Sequence, residues 1–113
     1  MIKLVAFLKR RPGTTAEEFY DHWFNRHAPL IANTPELAQH VARYEQLPFN
    51  MGTEGYDGIT IQWMESSASF EAFVNEPKYL ELIYPDEGRF LDRDGIVWMI
   101  SDEIRVPIDG PAT

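Results

Sequence analysis

Apolar and polar residues recur along the chain with two different periods, and the changes of period mark out its elements. From Ile2 to Lys9, Ile2, Leu4, Ala6 and Leu8 fall on one side and Lys3, Val5, Phe7 and Lys9 on the other, the period of a β-strand. Both sides carry apolar side chains, which predicts a strand covered on both faces. Arg11-Pro12-Gly13 breaks the strand, and Thr15 followed three residues later by Glu18 is the capping-box pattern of a helix start. Ala16, Phe19, Tyr20, Trp23, Phe24 and His27 then recur at helical spacing as one stripe ending in an imidazole. Pro29 disfavours helical angles at Ala28. This predicts a helix that ends or kinks near His27, with a short turn through Leu30, Ile31 and Ala32 that Pro35 closes.

From His40 to Pro48, Val41, Arg43, Glu45 and Leu47 alternate with Ala42, Tyr44 and Gln46, a less apolar strand that reads as an edge. Phe49 to Asp57 contains Gly52 and Gly55 and reads as a long hairpin loop of the kind that often serves a site. Ile59, Ile61 and Trp63 define a third strand. Ser66 to Ser69 offer N-caps for a second helix carrying Phe70, Phe73 and Val74. Pro77 restarts a turn with Tyr79, Leu80 and Ile83, Pro85 interrupts again, and Asp86 with Glu87 opens a last turn reaching Phe90 and Leu91. Asp92-Arg93-Asp94-Gly95 leads into a fourth strand, with Ile96, Trp98 and Ile100 opposite Val97 and Met99.

The order βαββαβ is that of a ferredoxin-like α+β fold, a four-stranded antiparallel sheet with both helices on one face. Residues 1–106 form the domain and 107–113 a loosely ordered tail. The first and last strands are apolar on both sides, so the sheet face without helices would be a large exposed patch. Face-to-face pairing of two copies, a homodimer, is the simplest remedy.

Composition narrows the partners. A chain of 113 residues holds one domain. Its net charge of −8 repels nucleic-acid phosphates and anionic membranes. With no cysteine there are no disulfides, thiolate metal sites or cysteine nucleophiles. The strand-like start, without a basic segment or a long apolar run, predicts no signal peptide and no membrane span, hence a cytoplasmic protein. No glycine-rich phosphate loop appears.

His27 is the leading chemical candidate, because imidazole titrates nearest neutrality and can serve as general base or acid. It also suits a structural role, capping the last carbonyls of the first helix. Tyr44 can donate to a developing enolate oxygen, although tyrosine also simply favours strands. Trp23, Trp63, Phe73, Tyr79, Phe90 and Trp98, with Phe70, can line an apolar cleft or fill a core. Asp86 and Glu87 can supply a carboxylate to the cleft, although acids at a helix start are already favoured by its dipole. His22, one turn after Glu18, reads as solvated, and so does His40. His22 and His27 lie five apart and would not share a face of an α-helix, so no metal site is predicted.

Phe7-Leu8-Lys9-Arg10-Arg11-Pro12-Gly13, Glu17-Glu18-Phe19 running into Trp23, Arg26-His27-Ala28-Pro29-Leu30, Tyr56-Asp57-Gly58, and Pro85-Asp86-Glu87 with Phe90-Leu91-Asp92 together resemble the EthD domain of the dimeric α+β-barrel superfamily. The block ending in His27-Ala28-Pro29 is the most specific element. The resemblance implies a dimer whose two sheets form a barrel, with an apolar cleft between sheet and helices in each subunit. It implies a tie to ether breakdown by a cytochrome monooxygenase system, and superfamily relatives that isomerise lactones, cyclise or dehydrate polyketides, or bind haem. Muconolactone-isomerase relatives carry a histidine and a tyrosine where His27 and Tyr44 stand. The working tyrosine and histidine of plant cyclase relatives are matched here by Phe73 and Tyr79, so that mechanism does not carry over.

The expectation is a protein that binds a small apolar, carbonyl-bearing metabolite and moves a proton on it without a cofactor, as an isomerase, dehydratase or cyclase. His27 is then base or acid and Tyr44 the oxyanion donor. The alternatives are a non-catalytic accessory or carrier of an oxidative pathway and, last, a haem-dependent oxidoreductase, for which nothing beyond His27 argues.

Overall fold

The alternating run at the N-terminus becomes a central strand. In the computed structural model, which describes residues 1–49, 51–52 and 54–111, β1 (Ile2–Leu8) pairs antiparallel with both β3 (Gly58–Met64) and β4 (Val97–Ser101), while β2 (Arg43–Pro48) pairs with β3. The sheet order β2-β3-β1-β4 is that of the expected ferredoxin-like fold, and β2 is an edge.

Register assigns each side chain to a face. Tyr44 pairs with Gln62, Gln46 with Thr60, Leu4 with both Gln62 and Ile100, and Ala6 with both Thr60 and Trp98. These residues face the helices. On the other side, Glu45, Ile61, Val5 and Met99 form one row across the strands and Leu47, Ile59, Phe7 and Val97 the next. Val97 and Met99 are 55% and 53% exposed, so this face is apolar and open.

Two helical arms cover the inner face. The first starts at Thr15, whose hydroxyl accepts from the Glu18 N–H at 3.1 Å while Glu18 Oε1 accepts from the Thr15 N–H at 3.0 Å, the predicted capping box. It runs through α1 (Ala16–His22), a π turn (Trp23–His27) and α2 (Ala28–Ala32). After α3 (Pro35–Ala38) and the β2–β3 hairpin, the second arm comprises α4 (Ser67–Val74), a π turn (Tyr79–Ile83) and α5 (Tyr84–Phe90).

The prolines do not break the arms as the sequence predicts. Ala28 (φ −61°, ψ −45°) and Tyr84 (φ −57°, ψ −47°) stay helical, although Pro29 and Pro85 follow them. In each case the preceding turn is π-wound: the Ala28 N–H bonds to the Trp23 carbonyl and the Tyr84 N–H to the Tyr79 carbonyl, five residues back. The widened turn makes room for the proline ring, which would otherwise press on the carbonyl four residues earlier.

Two apolar clusters form the interior. Ile2, Ile31, Leu37, Met64, Phe73 and Ile83 make one, and Leu8, Phe19, Trp23, Phe90 and Leu91 the other. The Trp23 ring lies so close to the sheet that a Cβ on Gly58 would sit 2.6 Å from it, so only glycine fits there. The hairpin loop is tied down at Asp57, whose carboxylate accepts from the Arg10 N–H at 2.8 Å and whose carbonyl accepts from the Tyr20 hydroxyl at 2.6 Å. Asn50 and Thr53 of that loop, and Ala112 and Thr113 of the predicted tail, lie outside the described residues. From Asp102 to Pro111 the chain forms no helix or strand. Among the described residues no helix is long and apolar enough to cross a membrane.

Candidate active site

The two apolar clusters do not merge. Between them lies a cavity of about 410 Å³, a size suited to a small organic molecule, walled by both arms and floored by the inner face of the sheet. Trp23, His27 and Ile31 enter it from the first arm, Phe73, Ile83, Glu87 and Phe90 from the second, and Ala6, Tyr44, Thr60 and Gln62 from the strands.

His27 is held at this wall by an acid. Its Nδ1 lies 2.8 Å from Asp86 Oδ2, and His22 Nε2 lies 2.9 Å from Asp86 Oδ1. A carboxylate only accepts, so both imidazoles donate, and His27 is fixed as the Nδ1–H tautomer with Nε2 left as a lone pair. The Arg89 guanidinium adds a third donor to Asp86 at 3.3 Å. Phe90 packs on both rings, stacked on His22 at 4.6 Å and tilted against His27 at 4.8 Å.

This grouping depends on the first π turn. Residues five apart on an α-helix point about 140° from one another. The π turn between His22 and His27 closes that angle and turns both rings towards one carboxylate.

Each titrating group is shifted for an identifiable reason. Burial lowers the His27 pKa below its ordinary 6.5, partly offset by the hydrogen bond and charge of Asp86. Burial pushes the Asp86 carboxyl up, but the hydrogen bonds from His27 and His22 outweigh it and hold it below 3.8. Burial pushes the Tyr44 hydroxyl up to about 12, so it remains a donor at neutral pH, with Gln46 Nε2 3.5 Å away. Glu87 is raised above 4.5 by burial, against the hydrogen bond from Tyr79 and the nearby Arg93 charge. The Tyr79 hydroxyl donates to Glu87 at 3.1 Å, and burial together with that carboxylate raises its own pKa.

A neutral base in an apolar chamber, oriented by a buried carboxylate and accompanied by a protonated phenol, is suited to moving a proton at a carbon next to a carbonyl. The profile of the EthD domain matches residues 11–94, which include both arms and two of the four strands, β2 and β3. The chain belongs to the EthD family. No curated protein matches it in sequence. Among solved structures, the EthD fold superposes on an ethyl tert-butyl ether D (EthD) family protein from Bacillus halodurans with a TM-score of 0.70 at 20% identity, over 92% of this chain and 99% of the other. HapK from Hahella chejuensis is similar with a TM-score of 0.69 at 12% identity, covering 98% and 100%. A dimeric protein of ferredoxin-like fold from Bacteroides fragilis has a TM-score of 0.68 at 11% identity, covering 88% and 93%.

Within this EthD domain, seven of the eight residues singled out from the sequence line the cavity: His27, Tyr44, Trp23, Phe73, Tyr79, Phe90 and Trp98. Trp98 stands on an edge strand beside Phe70, ring centroids 6.0 Å apart, and is 58% exposed, which makes it part of the mouth. Trp63 is the exception. It pairs with Lys3 and Arg43 on the opposite sheet face, where its indole N–H donates to Glu45 at 3.0 Å and the Lys3 ammonium lies 4.2 Å from its ring. An odd-numbered position of β3 faces outward when Gly58, Thr60, Gln62 and Met64 face in. The described residues of the hairpin loop contribute nothing to this cavity.

Sequence reasoning weighs Asp86 and Glu87 as cleft carboxylates but favours the helix-start reading, takes His22 as solvated, and does not single out Thr60 or Gln62. Asp86 does sit in the first turn of α5, where the dipole favours an acid, but it is also buried and shared by two histidines. His22 is tucked against Asp86 and Phe90 rather than solvated. A five-residue His spacing ahead of Ala-Pro was the available signal.

Proposed function

We propose that this EthD-domain protein binds a small apolar, carbonyl-bearing metabolite in the cavity and transfers a proton on it, as an isomerase, dehydratase or cyclase. His27 Nε2 takes the proton from the carbon beside the carbonyl, Asp86 stabilises the imidazolium that forms, and Tyr44 donates to the oxygen that gains charge. The same imidazolium then returns the proton, so the reaction needs no cofactor. The single observation that carries this reading is the 2.8 Å bond from His27 to Asp86 at the wall of an apolar chamber. A carrier or accessory protein would use the same chamber but gives the Asp86–His27 pair no task.

The active unit in this reading is a homodimer closed through the open sheet face. Its apolar rows, with Lys3, Arg43 and Glu45 alongside, have the apolar centre and polar rim of an interface. The dimeric state of the Bacteroides fragilis protein of like fold supports it.

The test is exchange of α-protons for deuterons in D2O, followed by NMR across a panel of small ketones and lactones. His27→Ala is expected to slow exchange by about 10²- to 10⁴-fold with the thermal unfolding midpoint and oligomeric state retained. Exchange that is undiminished in that variant, or a variant that no longer folds, overturns the assignment of His27 as the proton-transfer group.

A further inference from the structure

The inner face of the sheet carries a polar patch that proton transfer alone does not call for. Tyr44 pairs with Gln62 and Gln46 with Thr60, so four polar side chains occupy two adjacent register pairs beneath the arms. Gln46 is engaged, its Nε2 donating to the Trp23 carbonyl at 3.0 Å. Two atoms are not. The Gln62 Oε1 has no hydrogen-bond partner among the described residues, although Gln62 is 8% exposed, and the fully buried Trp23 indole N–H makes no hydrogen bond of ordinary geometry, lying only near enough to the Tyr44 hydroxyl to pull its pKa down. Both side chains line the cavity together with Tyr44 and Thr60. Leaving a buried donor or acceptor without a good hydrogen bond is costly, and two such groups on residues of one chamber wall are accounted for by a ligand that pairs with them.

We infer that the cavity is specific for carbonyl compounds that also carry a free hydroxyl: Gln62 receives the hydroxyl proton and the Trp23 N–H, beside Tyr44, meets an acceptor oxygen. The inference rests on the reading of the cavity as a substrate site and names the class of substrate. A hydroxyl is singled out because it donates to Oε1 and can equally accept from the Nε2 of the same amide, whereas an ether or a second carbonyl can only accept. A site built around a hydroxyl rejects the analogue that lacks it far more sharply than an apolar pocket rejects a change of size.

The experiment measures binding, without turnover, of acetophenone, its 2-, 3- and 4-hydroxy derivatives and their methyl ethers, by calorimetry on the intact protein. At least one hydroxy isomer should bind about tenfold or more tightly than both acetophenone and its own methyl ether. Gln62→Leu should abolish that preference while acetophenone itself binds as before; Gln62→Met, unbranched and of similar length, serves if the leucine variant does not fold. No hydroxyl preference in the unmodified protein, or a preference that survives loss of the amide, overturns the inference. His27→Ala should keep the preference intact, which separates this outcome from failure of the proton-transfer reading.

Discussion

On the helix-covered side of the sheet, β2 and β3 place Tyr44, Gln46, Thr60 and Gln62 next to one another, whereas on the open side the same two strands present Leu47, Ile59, Ile61 and Trp63 beside Glu45. Burial of apolar surface on its own would favour the reverse. The side with helices over it keeps polar atoms near the cavity, and the side facing solvent keeps apolar rows. In the proposed reading each face is completed by something other than the folded chain: the inner one by a ligand that pairs with polar atoms, the outer one by a second protein surface. A single alternating strand serves both, because neighbouring residues point in opposite directions.

If the faces have separate tasks, substitutions on one should leave the other's property alone. The largest effect is expected for Asp86→Asn, which should slow α-proton exchange by about 10²-fold or more, because the amide can donate to His27 and hold the wrong tautomer; sedimentation should still report a dimer. Tyr44→Phe should reduce the exchange rate by about 10²-fold, again without altering assembly, as loss of one oxyanion donor does. Val5→Asp, in the middle of an outer row, should shift the dimer towards monomer by about 10²-fold in dissociation constant, read by sedimentation equilibrium, while the ligand affinity per protomer holds. Equal loss of affinity in that variant would show that the faces are not independent. Gly58→Ala, which forces a methyl group against Trp23, should lower stability by about 1–3 kcal/mol in a denaturant titration.

The smallest and most diagnostic effect is on pH. Because burial lowers the His27 pKa, exchange should hold steady above pH 6.5 and fall only as pH drops through the lowered value. Asp86 raises that pKa through its hydrogen bond and charge, so Asp86→Asn should move the acid limb to still lower pH even as it lowers the plateau. Stability has the same sign. The unfolded chain takes up the His27 proton first, so the stability due to its neutral form is full above pH 6.5 and lost as pH falls through the folded pKa. A limb that moves to higher pH in the variant would mean that Asp86 does not act on His27 in this way.

Much of the architecture is readable from local patterns. Thr15 and Glu18 announce the first arm, the alternation in β1 gives the inner and outer sets of side chains, and the glycines at 52 and 55 take positive φ as a hairpin loop requires. The stripe on the first arm picks out His27 and Trp23 as inward-facing. What escapes such patterns is anything that depends on contacts distant in sequence or on a departure from 3.6 residues per turn. Asp86 is 59 residues from His27, and its task is invisible beside the ordinary preference of acids for helix starts. Trp63 illustrates a different failure. A large indole reads as core, but its parity in β3 fixes it on the open face, where its size serves contact rather than a cleft.

The π turn between His22 and His27 has a further consequence for how this chain can vary. A π turn is an α-helix with one residue inserted, so the meeting of His22 and His27 on one carboxylate is set by a count of residues as well as by their identities. Removing any one of Phe24, Asn25 or Arg26, all exposed, would let the arm relax to ordinary α-winding with the two histidines four residues apart, about 40° from one another on one face, whereas α-winding of the undeleted segment would leave them about 140° apart. Loss of one residue and loss of the π turn would thus compensate one another, while either change alone would part the two imidazoles, a coupling of length to winding that substitution experiments alone would never detect.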